Sequence, residues 1–240
     1  GGTSSSGTSS SSTGAEPGTS GATTGGSSGT TMGAVTQTTG GETGGSTGEG
    51  MPDMVPVLPS AGCGLAGSPT GHLDALTTEV DGVDRSYDLF VPTPYDVDRP
   101  HAVIFTYHGV GGTSNTNQFK LDTYSTAKDG FSINVAPQGW PTAEWPENHF
   151  VPFNLEPSLV VFDQVLDRLA TDYCIDLNRV FVIGHSNGGQ MAFHLGCLRG
   201  DRIRAVFPSG GRCFSYGTGL CDPYHGPATQ QCAGEVMVMS

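Results

Sequence analysis

The chain has 240 residues, and 40 of its first 50 are Gly, Ser or Thr, too little apolar surface to offset the entropy of an ordered backbone. With 23 acidic against 10 basic residues the formal charge is −13, which argues against a nucleic-acid partner, whose phosphates attract a basic footprint. No apolar run approaches the roughly 18–20 residues of a membrane span, so no crossing helix is expected.

Residues 1–60 therefore read as a disordered tail ending in the Pro-rich hinge Met51–Ser60, and residues 61–240 as one domain of ordinary size. All six cysteines (Cys63, Cys174, Cys197, Cys213, Cys221, Cys232) fall in that domain, in an even number and with no C-x-x-C spacing. This favours disulfides over a zinc site and, with the spacer-like tail, a secreted or surface-attached protein. The spacing selects no pairing. A lipid anchor just upstream of Gly1 would suit such a tail.

From Thr77 onward short β-rich runs alternate with helical ones. Arg85–Val91 and His101–Tyr107 read as strands rich in β-branched and aromatic residues. A helix is expected within Thr113–Asp129, and a strand over Ser132–Ala136 stopped by Pro137 and Gly139. Leu159–Leu169 has the clearest helical period, with Phe162, Val165, Leu166 and Leu169 on one face. Val180–Ile183 is a short apolar strand, Gln190–Leu198 a helix, and Ala205–Pro208 and Glu235–Met239 further strands. Strands alternating with helices predict an α/β fold, a mostly parallel sheet with helices on both faces.

The nucleophile pattern G-x-S-x-G occurs three times, at Gly25–Gly29, Gly44–Gly48 and Gly184–Gly188. The two tail copies follow from Gly/Ser-rich composition. The third follows the apolar strand Val180–Ile183 and opens a helix, the strand–turn–helix setting that exposes a serine hydroxyl on a sharp turn. Ser186 is accordingly the candidate nucleophile. A second motif, His108-Gly109-Val110-Gly111-Gly112, sits directly after a strand, where an oxyanion loop is carried in α/β-hydrolases. Gly109 and Val110 would supply one backbone donor and Asn187 the other. His108 and His185 are expected to shape the substrate cleft rather than act as bases.

These motifs, with Gly62-Cys63-Gly64, Arg85-Ser86-Tyr87, Pro137-Gln138-Gly139, Trp145 and Cys174-Ile175-Asp176, resemble the extracellular carbohydrate-esterase family of feruloyl esterases and the related short-chain polyhydroxybutyrate depolymerases. The resemblance runs from about Gly62 to Ser240. It implies an α/β-hydrolase fold, secreted ester hydrolysis without metal or organic cofactor, and a substrate cleft that includes Trp145. Ordinary packing is an equal reading of Trp140 and Trp145.

In α/β-hydrolases the acid and the histidine follow the nucleophile in chain order. After Ser186 the only histidines are His194 and His225, and the candidate acids are Asp201, Asp222 and Glu235. His194 lies two turns into a helix and reads as a packing residue, which leaves His225 the one stand-in within the sequence. The resemblance instead implies an acid and a histidine beyond Ser240, in a chain truncated at its C-terminus. The expected function is hydrolysis of hydroxycinnamoyl esters on plant polysaccharide. Polyester depolymerisation is the alternative within the same chemistry, and a non-catalytic surface binding protein the alternative outside it.

Overall fold

The computed structural model describes residues 55–115, 130–142, 146–150, 155–211 and 237–238. The chain divides into two units, Gly1–Gly50 and Met51–Ser240, and every described residue belongs to the second. Of the expected tail, residues 1–54 lie outside the described residues, whereas residues 55–60 are described and pair with the folded unit.

Among the described residues seven strands form one sheet: β1 (Gly71–Val80), β2 (Val83–Val91), β3 (His101–Tyr107), β4 (Ser132–Pro137), β5 (Ile175–His185), β6 (Ala205–Ser209) and β7 (Met237–Val238). Their order is β1-β2-β4-β3-β5-β6-β7. From β4 to β7 every neighbouring pair is parallel, whereas β1–β2 and β2–β4 are antiparallel. The hairpin β1–β2 turns on Asp81-Gly82, both at positive φ (52° and 74°), the Asp-Gly chemistry of a two-residue loop.

The central strands are largely apolar and turn alternate residues into the core. Val103, Phe105, Ile133, Val135, Val180 and Val182 are fully buried, and all six residues of β4 are buried. Helix α1 (Glu156–Asp172) packs the predicted stripe, Phe162, Val165, Leu166 and Leu169, into this core, with the Phe162 ring 4.7 Å from Phe105. Helix α2 (Asn187–Leu198) follows β5 directly. Asp163 of α1 pairs with Arg199 just past α2 at 2.7 Å and with Arg202 at 2.9 Å, so the two described helices flank the same face. The expected helix in Thr113–Asp129 falls, from residue 116, outside the described residues.

At the N-terminal edge of this unit the chain is clamped to the start of β5. Leu58 N–H donates to Asp176, Ser60 N–H to the Ile175 carbonyl, and a disulfide joins Cys63 to Cys174. Gly62 lies so close to Tyr173 that a Cβ would sit 2.3 Å from its carbonyl oxygen. Cys197 is also disulfide-bonded. None of the described cysteines is free, in line with the expectation of disulfides.

Candidate active site

The turn from β5 into α2 is set by steric necessity. Ser186 adopts φ 54° and ψ −117°, a conformation that costs a side-chain-bearing residue free energy and persists only when its surroundings dictate it. Those surroundings are glycines in close contact with backbone. A Cβ on Gly184 would lie 2.0 Å from the Gly188 carbonyl oxygen, and one on Gly188 would lie 2.2 Å from that of Tyr107. A Cβ on Gly189 would meet Gly211 and the Ser209 carbonyl at 2.9 Å. The elbow is further pinned by the Ser186 N–H, which donates to the Ser209 carbonyl at the end of β6 at 2.9 Å. Ser186 is exposed at the C-terminal end of the central strand, whereas Asn187, Gly188 and Gly189 behind it are buried.

Asn187 is the first residue of α2, where a backbone N–H has no intrahelical acceptor and the helix dipole favours negative charge. Its side chain does something else. Oδ1 accepts the Phe150 N–H at 2.6 Å, and Nδ2 donates to Gln190 at 3.2 Å. The elbow thereby anchors the segment 146–150, which in turn holds the loop after β3. The Asn148 carbonyl accepts the Gly111 N–H at 2.8 Å, and its Nδ2 donates to the Gly112 carbonyl at 3.2 Å.

That loop comes against the serine at Gly109, where a Cβ would stand 3.4 Å from Ser186 Cβ. Val110 beside it is exposed. The His185 ring is partly exposed and lies between the two turns, its Nδ1 3.6 Å from a Cβ on Gly109 and its Nε2 3.6 Å from one on Gly210. His108 is placed differently from a cleft residue: it is 2 % exposed, and both ring nitrogens are engaged by backbone. Burial lowers its pKa and keeps the ring neutral at pH 7. His194 is likewise buried, 2 % exposed, with a pKa lowered by burial, as a packing residue would be.

Trp140 is partly exposed, its ring under the Arg85 guanidinium at 3.9 Å, and its backbone pairs with that of His149. Trp145, His225, Asp222 and Glu235 lie outside the described residues. The geometry thus brings Ser186, Asn187, Gly109, Val110 and His185 to one end of the sheet.

The described residues gather one trio of metal-type ligands, His72, Asp74 and Asp88, whose ligand atoms lie within 4.8 Å of one another. They sit on the β1–β2 hairpin, three to four strand positions from β5 and so about 14–19 Å away across the sheet. His72 already pairs with Asp74 at 3.1 Å, and Asp88 accepts the Ala75 N–H. No described helix is long and apolar enough to cross a membrane.

Asn148, Gln138 and Phe150 carry the loop geometry but had no assigned role from sequence. Gln138 and Gly139 stood within the family pattern, a signal that something close-packed follows β4. Asn148 had none, since Glu147-Asn148-His149 reads as polar loop.

Feruloyl esterase D of Neurospora crassa is 30% identical over 186 residues, which make up 72% of this chain and 61% of that protein. The chain is thus similar to feruloyl esterases, on the sheet of an α/β-hydrolase. Feruloyl esterase C of Emericella nidulans is 31% identical over 159 residues, 64% of this chain and 56% of that one. The chain therefore spans about three fifths of the length of these relatives. No protein-family profile matches it. Among solved structures, a ferulic acid esterase of Anaeromyces mucronatus in complex with ferulic acid superposes with a TM-score of 0.45 at 16% identity, over 60% of this chain and 58% of that one.

Proposed function

We propose that the protein is a secreted serine esterase acting on carboxylic esters, in particular hydroxycinnamoyl esters of plant cell-wall polysaccharide. The observation that carries the reading is Ser186 at φ 54°, exposed between glycines that tolerate no Cβ and facing the Gly109 loop. A strained, exposed serine backed by unpaired helix N–H groups is the arrangement that nucleophilic acyl transfer needs. The names of its sequence relatives support the substrate class.

Ser186 Oγ attacks the ester carbonyl, and the N–H groups of Asn187 and Val110 receive the developing oxyanion. Collapse of the tetrahedral intermediate expels the alcohol, which takes up the serine's proton through a general base. Water then attacks the acyl-enzyme, releases the carboxylic acid and returns the proton to Ser186. The base and its orienting acid are proposed to be a histidine and a carboxylate C-terminal to Ser240, in the chain order Ser, acid, His. Reading the coding sequence past the Ser240 codon tests that part: a histidine downstream is expected, and an immediate stop would contradict it.

The substrate is tested on the full-length protein with methyl ferulate and a hydroxybutyrate trimer in parallel, using Ser186→Ala as blank. Turnover of the ferulate ester is expected, abolished in the variant. Preference for the trimer would replace the hydroxycinnamoyl reading with a polyester one, and binding of polysaccharide without turnover of either ester would contradict esterase activity.

A further inference from the structure

The buried ring of His108 is not part of the nucleophile–oxyanion machinery as proposed, yet the structure builds a slot for it. A Cβ on Gly112 would meet His108 Cβ and Nδ1 at 3.0 Å, and one on Gly139 would meet His108 Cε1 at 2.9 Å. The Phe150 ring closes the slot, its centroid 4.7 Å from that of the imidazole. Two of the glycines that mark the sequence, in the loops after β3 and β4, are therefore needed where this side chain passes.

The hydrogen bonds fix the tautomer. The Gly139 backbone N–H can only donate, and it reaches His108 Nε2 at 3.0 Å, so Nε2 carries no proton. The neutral ring then holds its proton on Nδ1, which lies 2.6 Å from the Gly109 carbonyl oxygen and donates to it. The same carbonyl accepts the Gly112 N–H at 3.1 Å. In a trans peptide the carbonyl and the following N–H point in opposite directions. Two donors holding the Gly109 carbonyl to one side therefore hold the Val110 N–H to the other, on a loop in contact with Ser186.

We propose that His108 is the positioning residue of the oxyanion hole: its Nδ1–H locks the Gly109–Val110 peptide plane, and its Nε2 ties that plane to the end of β4. This rests on the esterase reading and on Val110 N–H as an oxyanion donor. His108 transfers no proton and touches no substrate. Its effect is on the transition state, because the donor must meet the oxyanion rather than the ground-state carbonyl.

Two amides separate this role from simple packing. In His108→Asn the side-chain nitrogen falls where Nδ1 stood and can still donate to the Gly109 carbonyl. In His108→Gln the amide reaches the position of Nε2 and the Nδ1 donor is lost. In the full-length protein His108→Gln should lose about 100-fold in kcat with KM within about threefold, and His108→Asn should stay within about tenfold of wild type. Nitrogen-15 NMR of the unmutated protein should show the His108 ring protonated at Nδ1 alone. Equal kcat losses in both variants, a loss confined to KM or melting temperature, or a ring protonated at Nε2 would each overturn the proposal. Failure of the esterase reading is distinguishable, since the unmutated protein would then turn over no ester while the ring tautomer is read independently.

Discussion

Replacing Gly188 by alanine puts the steric argument for the elbow to a quantitative test. The added Cβ would stand 2.2 Å from the Tyr107 carbonyl oxygen, 2.5 Å from its carbon and 2.6 Å from the His108 carbonyl oxygen. To reach even 3.0 Å the elbow and the end of β3 must part by about 0.8 Å, and the neighbours are backbone that cannot rotate away. Tyr107 and His108 lead straight into the oxyanion loop, so the displacement separates Ser186 from Gly109. A shift near 1 Å at the reacting geometry costs about 100-fold in rate, and overpacking costs about 1–3 kcal/mol of stability. Gly62→Ala is the control: its Cβ would lie 2.3 Å from the Tyr173 carbonyl, at the far end of β5 and more than about 20 Å from Ser186. Steady-state kinetics on an aryl ester and urea unfolding of both variants should show comparable stability losses but a kcat loss in Gly188→Ala alone. A Gly188→Ala enzyme with kcat within about twofold of wild type would refute the reasoning.

Three further predictions follow from the same contacts. Removing the Cys63–Cys174 bridge, which spans 111 residues, should cost about 3–5 kcal/mol in urea unfolding, and a loss below about 1 kcal/mol would contradict its role as a clamp. Asn187→Ala leaves the buried Phe150 N–H without its acceptor but keeps the backbone N–H of residue 187. Stability should fall by about 1–3 kcal/mol while kcat drops less than about tenfold; a loss as large as that of Ser186→Ala would show that the side chain acts in the chemistry. Burial lowers the folded-state pKa of His101, His108 and His194, so the unfolded chain binds more protons below its ordinary histidine pKa of about 6.5. Their stabilising effect is complete above that pH and is lost as pH falls toward the folded values, by up to about 1.4 kcal/mol per pH unit for each ring. Urea unfolding at pH 7.5, 6 and 5 should show the decline, with a shallower slope in His194→Leu; stability independent of pH over that range would contradict it.

How far the sequence could be read depended on whether local pattern or tertiary contact chose each residue. β3 is bounded as expected, His101–Tyr107, because its apolar run answers only to burial. β5 begins at Ile175 rather than Val180, since Asp176, Asn178 and Arg179 disguise its start. Asp176 is polar yet fully buried because it receives the N–H groups of Leu58 and Asn178. β1 (Gly71–Val80) has no counterpart among the expected strands: an irregularity between Leu73 and Leu76, with Ala75 at φ 52°, breaks the period-two alternation that marks a strand.

The site was legible where chemistry demands a fixed residue type and silent where neighbours do. Gly188 and Gly189 are poor helix formers, which delayed the expected start of α2 to Gln190, whereas the helix begins at Asn187. They stand there because Tyr107 and Gly211 approach too closely for a side chain. The hold of Asn187 on Phe150, and of Asn148 on Gly111 and Gly112, joins residues 36 or more apart, and no local pattern encodes such a pairing.

The central claim is that Ser186 is the nucleophile. Its most direct test is to treat the full-length protein with a fluorophosphonate and locate the adduct by mass spectrometry of its peptides. The adduct is expected on Ser186, with labelling lost in Ser186→Ala. Equal labelling of that variant, or an adduct on another serine, would contradict the account.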